Sequence, residues 1–483
     1  MLAFSTEISR HSLKLLFALY VFLLSNTAIA QSEINSDRIT EYVDQIKDSY
    51  KIPGVAVSIT DLDSTVYLEH FGKIDPDEQL LIGSCSKSFT ALLILKLQQK
   101  KLLDIDEPVV KYLSWFQYKN KDVSDKIVLR SLLQHTSGIP SILGRTIIEE
   151  DKNGSTQDRV EGLLKEIETD SIEHQYEYSN INYRLLGFII EKVTGQEFGE
   201  VLREQILNPL DMETTTGFVM NKNSESFPRS YDYFLYYPVI PYVSEYYKDR
   251  VPAGYIASNA SDMGKYLREL MKSYTNDSSL FIDQNSTNTL FKPNPKNAPY
   301  YGFGWFINNW QDTEVIYHTG LVEGFNTAMI ILPEEEKAIF VAVNISELTA
   351  FEIAAGVFHI LIDIEPSVFS KTNFYLERSI PFLVLFLLVI LIKQFMNWKK
   401  SHFKIGFSKK FLPNFLLILG VVFGLLWVIA FPIIYNTSLA VIIDYDPVSG
   451  YSIIIIAIAI ILITIIRYLN GKTVIPSVKD KAL

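Results

Sequence analysis

Gly83-Ser84-Cys85-Ser86-Lys87 sets a hydroxyl and an amine three residues apart where a helical run begins. On a helix, residues at that spacing share a face, so the Ser84 and Lys87 side chains can meet. A serine hydroxyl is a poor nucleophile until a nearby base takes its proton, and a desolvated lysine can do that. At a helix N-terminus Ser84 also has its own amide N–H to offer an oxyanion. The pattern alone is weak, because Ser-x-x-Lys turns up about twice by chance in a chain this long, as at Ser401-His402-Phe403-Lys404. Tyr178-Ser179-Asn180 adds a phenol that can relay a proton and an amide that can orient the lysine or hold a substrate amide. Tyr-x-Asn also occurs at Tyr118 and Tyr274, so context has to single out Tyr178. His318-Thr319-Gly320 ends a short β-like run. A strand edge there, beside Ser84, would supply a second oxyanion N–H from Leu321 and a cationic or hydrogen-bonding side chain from His318.

Several elements must position these residues. Ile39, Tyr42, Val43 and Ile46 follow the i, i+3, i+4, i+7 pattern of an amphipathic helix. Gly54–Thr60 and 65–71 are β-rich runs joined through Asp61-Leu62-Asp63-Ser64 as a hairpin. The helical run 86–102 lines Phe89, Leu92, Leu93 and Leu97 along one apolar face, and a helix over 182–193 stops at Gly195. β-patterned segments return at 314–317, Phe325–Leu332 and 338–344, with Pro333-Glu334-Glu335-Glu336 turning between the last two. A helix over 349–362 precedes Pro366. Strands at both ends with helices between them predict an α+β fold: one antiparallel sheet, helices on its faces, and an inserted helical lobe.

Taken in order, the three chemical elements resemble those of the serine β-lactamase and penicillin-binding-protein superfamily, and most closely its class C β-lactamase-like branch. Leu132-Leu133-Gln134-His135-Thr136-Ser137-Gly138, Pro252-Ala253-Gly254-Tyr255, Tyr301-Gly302-Phe303-Gly304-Trp305 and Gly324-Phe325 extend the likeness over about residues 35 to 365. The resemblance implies Ser84 as the acylated nucleophile, Lys87 as its base and Tyr178 as the co-base that passes a proton to the leaving group. It also implies Asn180, His318, Gly320 and Leu321 as substrate-binding, Asn180 at the substrate amide and Leu321 as the second oxyanion amide. His318 departs from the lysine of many relatives, and Leu321 and Glu323 depart from the small or proline residues often found after this triad. An ordinary histidine is mostly neutral at pH 7, so the expected activity is on esters or amides, with little on penicillins, whose carboxylate benefits from a fixed cation.

Other features have plainer readings. His135-Thr136-Ser137-Gly138 resembles a structural turn. Cys85 points about 100° away from Ser84 on a helix, so it reads as a small buried residue. The aromatic run Tyr231, Tyr233, Phe234, Tyr236, Tyr237 suits loop packing at least as well as a substrate groove.

Composition bounds the rest. A net charge of −11 over 483 residues argues against nucleic acid as a partner. One cysteine and seven scattered histidines, with no His-Glu-x-x-His run, predict no intrachain disulfide, no metal and no cofactor. Residues 1–30 read as a signal peptide: Arg10, His11 and Lys14, an apolar core over 15–24, and Ala28-Ile29-Ala30 before Gln31. Three apolar stretches near 379–398, 411–434 and 449–469 approach the ~20 residues needed to cross a bilayer. Lys399, Lys400, Lys404, Lys409 and Lys410 between the first two favour the cytoplasmic side, whereas Asp444 and Asp446 suit the outer side. The expected organisation is therefore a hydrolase domain over 31–370 outside the cytoplasm and a multi-pass membrane domain over 371–483. Its partners would be a small-molecule or peptide substrate and the lipid bilayer. A non-catalytic sensor that keeps the cleft is the alternative, and the intact Ser84, Lys87, Tyr178 and Asn180 favour the enzyme.

Overall fold

The computed structural model describes residues 34–145, 156–218, 228–234, 237–239, 248–275, 281–346, 349–366, 375, 379–400, 411–434, 439 and 447–470. The signal-peptide stretch, Tyr236, Lys404, Lys409, Lys410, Asp444 and Asp446 lie outside them, whereas Lys399 and Lys400, read as part of the first charged loop, end the helix Ile380–Lys400.

Helix α1 (Ser36–Tyr50) is capped by Asn35, whose side chain accepts from the Arg38 amide, and ends at Lys51 in the left-handed region (φ 54°). It buries the face that its periodicity predicts, Ile39, Tyr42, Val43 and Ile46. Strands β1 (Gly54–Thr60) and β2 (Thr65–Gly72) form the expected hairpin, whose turn Asp61 closes by accepting from the Asp63 and Ser64 amides at 2.9 and 2.7 Å. A 3₁₀ turn (Gly83–Cys85) runs directly into α2 (Ser86–Gln99). Helix α3 (Asn180–Thr194) ends on Gly195 at φ 69°, the predicted C-terminal cap. After α4 (Ala260–Thr275) come β3 (Phe306–Trp310), β4 (Thr313–Val322), β5 (Phe325–Leu332), β6 (Lys337–Val343) and α5 (Thr349–Leu361).

The six strands form one antiparallel sheet in the order β2-β1-β6-β5-β4-β3, so the two ends of the domain meet where Val55 pairs with Val343. Both faces are covered at the centre of the sheet, where β1, β5 and β6 are buried almost throughout, whereas the edge strands β2 and β3 are partly exposed. On β6, Ile339, Val341 and Val343 pack with α1 and α5, while Ala338, Phe340 and Ala342 face the core shared with α2, α3 and α4. Helix α2 lies inside that second core and is buried on every side from Ser86 to Leu95, not along one face as the sequence predicts. Its polar groups find partners: Ser88 Oγ donates to the Cys85 carbonyl and Thr90 Oγ1 to the Pro252 carbonyl.

Two sheet features differ from the sequence reading. Strand β3, with Asn308 and Asn309 at its centre, carries little β signal and is held by a two-residue loop, Gln311-Asp312, with φ of 49° and 64°. Strand β4 is ten residues long and runs on past Tyr317 through His318-Thr319-Gly320 to Val322. Because β3 pairs with β4 only from Thr313 to Tyr317, residues 318–322 form an edge that no strand pairs on that side.

Helices α6 (Ile380–Lys400), α7 (Phe411–Ile434) and α8 (Pro447–Asn470) coincide with the three apolar stretches. Unbroken runs with described side chains cover 381–396, 418–430 and 450–466. Over the described residues no helix is long and apolar enough to cross a membrane. Helix α8 packs against both others, and Gly420 and Gly424 of α7 let it approach Thr464, Ala457 and Ile461.

Candidate active site

Ser84 lies in the 3₁₀ turn and Lys87 in the first turn of α2, and their Oγ and Nζ are 3.0 Å apart. Lys87 Nζ also donates to Asn180 Oδ1 at 2.8 Å and to the Ala253 carbonyl at 2.5 Å. A neutral amine has two N–H bonds and one lone pair. With both N–H bonds taken by Asn180 and Ala253, the lone pair is left to accept from the Ser84 hydroxyl. Lys87 has no exposed surface, and burial brings its pKa from 10.5 down to about 7. The site thus holds a lysine that is partly unprotonated at neutral pH and is aimed at a hydroxyl.

Helix α3 supplies the opposite wall. Asn180 is its first residue, and Tyr178 precedes it with a hydroxyl hydrogen-bonded to Ser84. Burial raises the Tyr178 pKa well above 10, outweighing the lowering effect of that bond, so the phenol stays protonated. The residue that the resemblance marks as co-base thus carries a neutral hydroxyl beside Ser84. Beneath it, the His135 ring sits 4.4 Å from the Tyr178 ring, centroid to centroid. His135 Nδ1 accepts from the Ser179 amide at 3.2 Å and lies 3.0 Å from Asn182 Nδ2, while Ser137 Oγ donates to Asn182 Oδ1 at 2.6 Å. The His-Thr-Ser-Gly turn is thus structural, as read, and it clamps the backbone between Tyr178 and Asn180.

The third wall is the β4 edge. The Glu323-Gly324 loop makes Val322 and Phe325 a hydrogen-bonded pair, and alternation along the strand turns the Leu321 N–H away from β5. That side faces the 3₁₀ turn: a Cβ on Gly83 (φ 55°) would stand 2.5 Å from the Leu321 nitrogen, and one on Gly320 would stand 2.0 Å from the Ile82 carbonyl oxygen. Both glycines are required by this close approach.

His318 is neither at the surface nor a cation. It is 2% exposed; its Nδ1–H donates to the Thr319 carbonyl at 2.7 Å, and its Nε2 lies 3.3 Å from the Tyr301 hydroxyl. Burial, then the nearby Lys87, lowers its pKa to about 3, so the cationic option in the sequence reading is corrected. Cys85 is fully buried, 3.3 Å from Thr327 Oγ1, and burial pushes its thiol up to about 12. It is the small buried residue that the sequence predicts. Tyr233 packs in the core beside α1, while Tyr237 is exposed, so neither suggests a groove. Among the described residues no cluster of His, Cys, Asp or Glu could hold a metal ion. Sequence reasoning missed three contributors: the Ala253 carbonyl, the His135 ring and the Tyr301 hydroxyl. Each lies in a quoted motif, but only the folded chain shows which atom points inward.

A sequence profile of the family described as Beta-lactamase matches residues 39–361. Protein flp of Staphylococcus aureus (strain MRSA252) is 27% identical over 384 residues, which are 76% of this chain and 75% of that protein. Penicillin-binding protein 4* of Bacillus subtilis (strain 168) is 30% identical over 296 residues, 56% of this chain and 62% of that protein, under two thirds of its length. Among solved structures, the octameric penicillin-binding protein homologue from Pyrococcus abyssi matches with a TM-score of 0.58 at 22% identity, covering 72% of this chain and 81% of that one.

Proposed function

This chain belongs to the beta-lactamase family, and we propose that it is a membrane-anchored serine hydrolase of the class C-like branch that acylates Ser84. Neutral Lys87 takes the Ser84 proton as Oγ attacks an ester or amide carbonyl. The developing oxyanion is met by the Ser84 and Leu321 amides. The lysine proton reaches the leaving group through the Tyr178 hydroxyl, which donates one proton as it accepts another. Water then releases the acyl group by the reverse relay. Asn180 holds Lys87 and is available to a substrate amide, and Gly320 keeps the edge open beside Ser84.

The observation that carries this reading is the Lys87 amine, buried, with a pKa near 7 and its N–H bonds spoken for by Asn180 and Ala253. The neutral His318 supports a preference for esters and amides, a D-amino-acid-containing cell-wall peptide among them, over penicillins. Helices α6, α7 and α8 support anchoring. Large apolar side chains such as Leu385, Phe386, Ile392 and Ile418 stand exposed along them. With the lysine-rich and aspartate-bearing loops, this supports a hydrolase domain (31–370) outside the cytoplasm, tethered by residues 371–483.

Labelling with a fluorophosphonate and with a fluorescent penicillin, followed by mass mapping of the adduct, tests the assignment. The expected adduct is on Ser84, absent from Ser84→Ala and Lys87→Ala, with the penicillin reacting far more slowly. Label retained in both variants would remove the assignment.

A further inference from the structure

The turn that follows the oxyanion strand is unusual in being both charged and buried. Glu323 is 9% exposed, and its Oε2 accepts from the Tyr255 hydroxyl at 3.1 Å. Tyr255 in turn accepts from Arg250, whose guanidinium is also near Glu323 and Asp249. Burial alone would depress Arg250, yet these neighbours hold its pKa above the usual value, so the guanidinium stays charged. The other half of the turn is pinned as well: the Gly324 amide donates to Ser346 Oγ at 2.5 Å, and a Cβ there (φ 80°) would stand 2.2 Å from Ser230 Cβ.

Tyr255 ends the short helical turn Val251–Tyr255, which cradles the catalytic end of α2 through consecutive backbone groups. The Pro252 carbonyl accepts from Thr90, the Ala253 carbonyl from Lys87, and the Ile256 amide donates to Ser86 Oγ at 3.1 Å. Just upstream, Asp249 forms a buried ion pair with Arg184 of α3, the helix that begins at Asn180. The segment holding Lys87 is thus fixed to α2 and α3 by many contacts. The Glu323–Tyr255 bond adds a side-chain tie from that cradle to the strand end two residues beyond Leu321.

We propose that Glu323 is a positioning residue: through Tyr255 it fixes the Leu321 amide relative to the Ala253 carbonyl that holds Lys87, so that oxyanion donor and base are registered to each other. This deepens the reading of Ser84 as the acylated nucleophile and rests on it. A tie of this kind acts on the transition state, where the oxyanion exists, and leaves ground-state binding nearly alone. Small misplacements of such groups lower rates by up to about a hundredfold.

The test uses full-length protein and compares wild type, Glu323→Ala, Glu323→Gln, Tyr255→Phe and the Tyr255→Phe/Glu323→Ala double variant. It reads kcat and KM on a nitrophenyl ester and the rate of Ser84 labelling by a fluorophosphonate. Glu323→Ala is expected to lower kcat roughly ten- to a hundredfold with KM within about threefold. Glu323→Gln keeps an oxygen for Tyr255 and should recover to within about fivefold of wild type, and the double variant should lose less than the product of the two single losses, since both single variants break the Glu323–Tyr255 bond while Tyr255→Phe also loses its bond to Arg250. A folded Glu323→Ala with wild-type kcat, a Gln variant as damaged as Ala, or losses that simply add would overturn the inference. If Glu323→Ala does not fold, Tyr255→Phe, which removes one oxygen atom, decides: about a three- to tenfold lower kcat supports the tie, and an unchanged kcat ends it. A wild type that takes no label removes the nucleophile reading and this inference with it; normal labelling of every variant removes the inference alone.

Discussion

The start of α2 and the free edge of β4 meet in one site, and each contributes a buried nitrogen base, but burial has opposite consequences for the two. It brings Lys87 from 10.5 to about 7, into the range where the side chain can take and return a proton. It brings His318 from 6.5 to about 3, out of that range altogether. Desolvation disfavours the charged form in both cases. What differs is the starting point, so a dry pocket turns the stronger base into the working one and makes the conventional pH-switch residue inert.

The comparison breaks most completely at the α2 end. Ser84→Ala and Lys87→Ala should each lower ester hydrolysis by about a thousandfold or more, with Ser84 labelling lost. Lys87→Arg should be no better, because a guanidinium does not give up its proton; substantial activity in that variant would show that the base lies elsewhere. Asn180→Ala removes one of the two acceptors that orient the amine, and about a hundredfold loss in kcat is expected on the same assay.

At the β4 edge the effects should be smaller. His318→Gln should lower kcat only by about three- to tenfold, through the lost Tyr301 bond, and leave the shape of the pH–rate profile intact. A change in that shape would mean that His318 titrates during turnover. Stability should report His318 instead. Its pKa is depressed in the folded state, so the unfolded chain binds an extra proton between about pH 6.5 and 3, and the contribution present above that window is lost as pH falls through it. In denaturant titrations His318→Gln should lessen the fall in stability across that window by up to about one proton's worth of slope. An identical dependence in wild type and variant would show that the ring is already protonated or solvated in the fold.

Legibility in the sequence followed the same division. Local signals were sufficient for β5, read at Phe325–Leu332 and found there, for the Asp61–Ser64 turn, and for the Gly195 cap. The i, i+3 spacing of Ser84 and Lys87 also fixed their meeting in advance. The β4 edge was harder. Gly320 looks like the end of a strand, but it lies within one because Ile82 passes too close for any side chain. Helix α2 read as amphipathic because the helices and turn that cover its polar side are distant in sequence. The states of His318 and Tyr178 were out of reach for a related reason: a pKa depends on burial, and burial is set by the whole fold. His135 was visible in its motif, yet nothing local to it shows that its Nδ1 meets the amide between Tyr178 and Asn180.

The pH dependence of Ser84 acylation, measured as the second-order rate of fluorophosphonate labelling between pH 5 and 10, tests the central claim most directly. Protonated Lys87 cannot accept the Ser84 proton, so the rate should rise tenfold per pH unit at low pH, bend once near pH 7 and stay level above it. A profile that is flat from pH 5 to 9, or that bends only near the ordinary lysine value of about 10.4, would contradict a neutral Lys87 as the base.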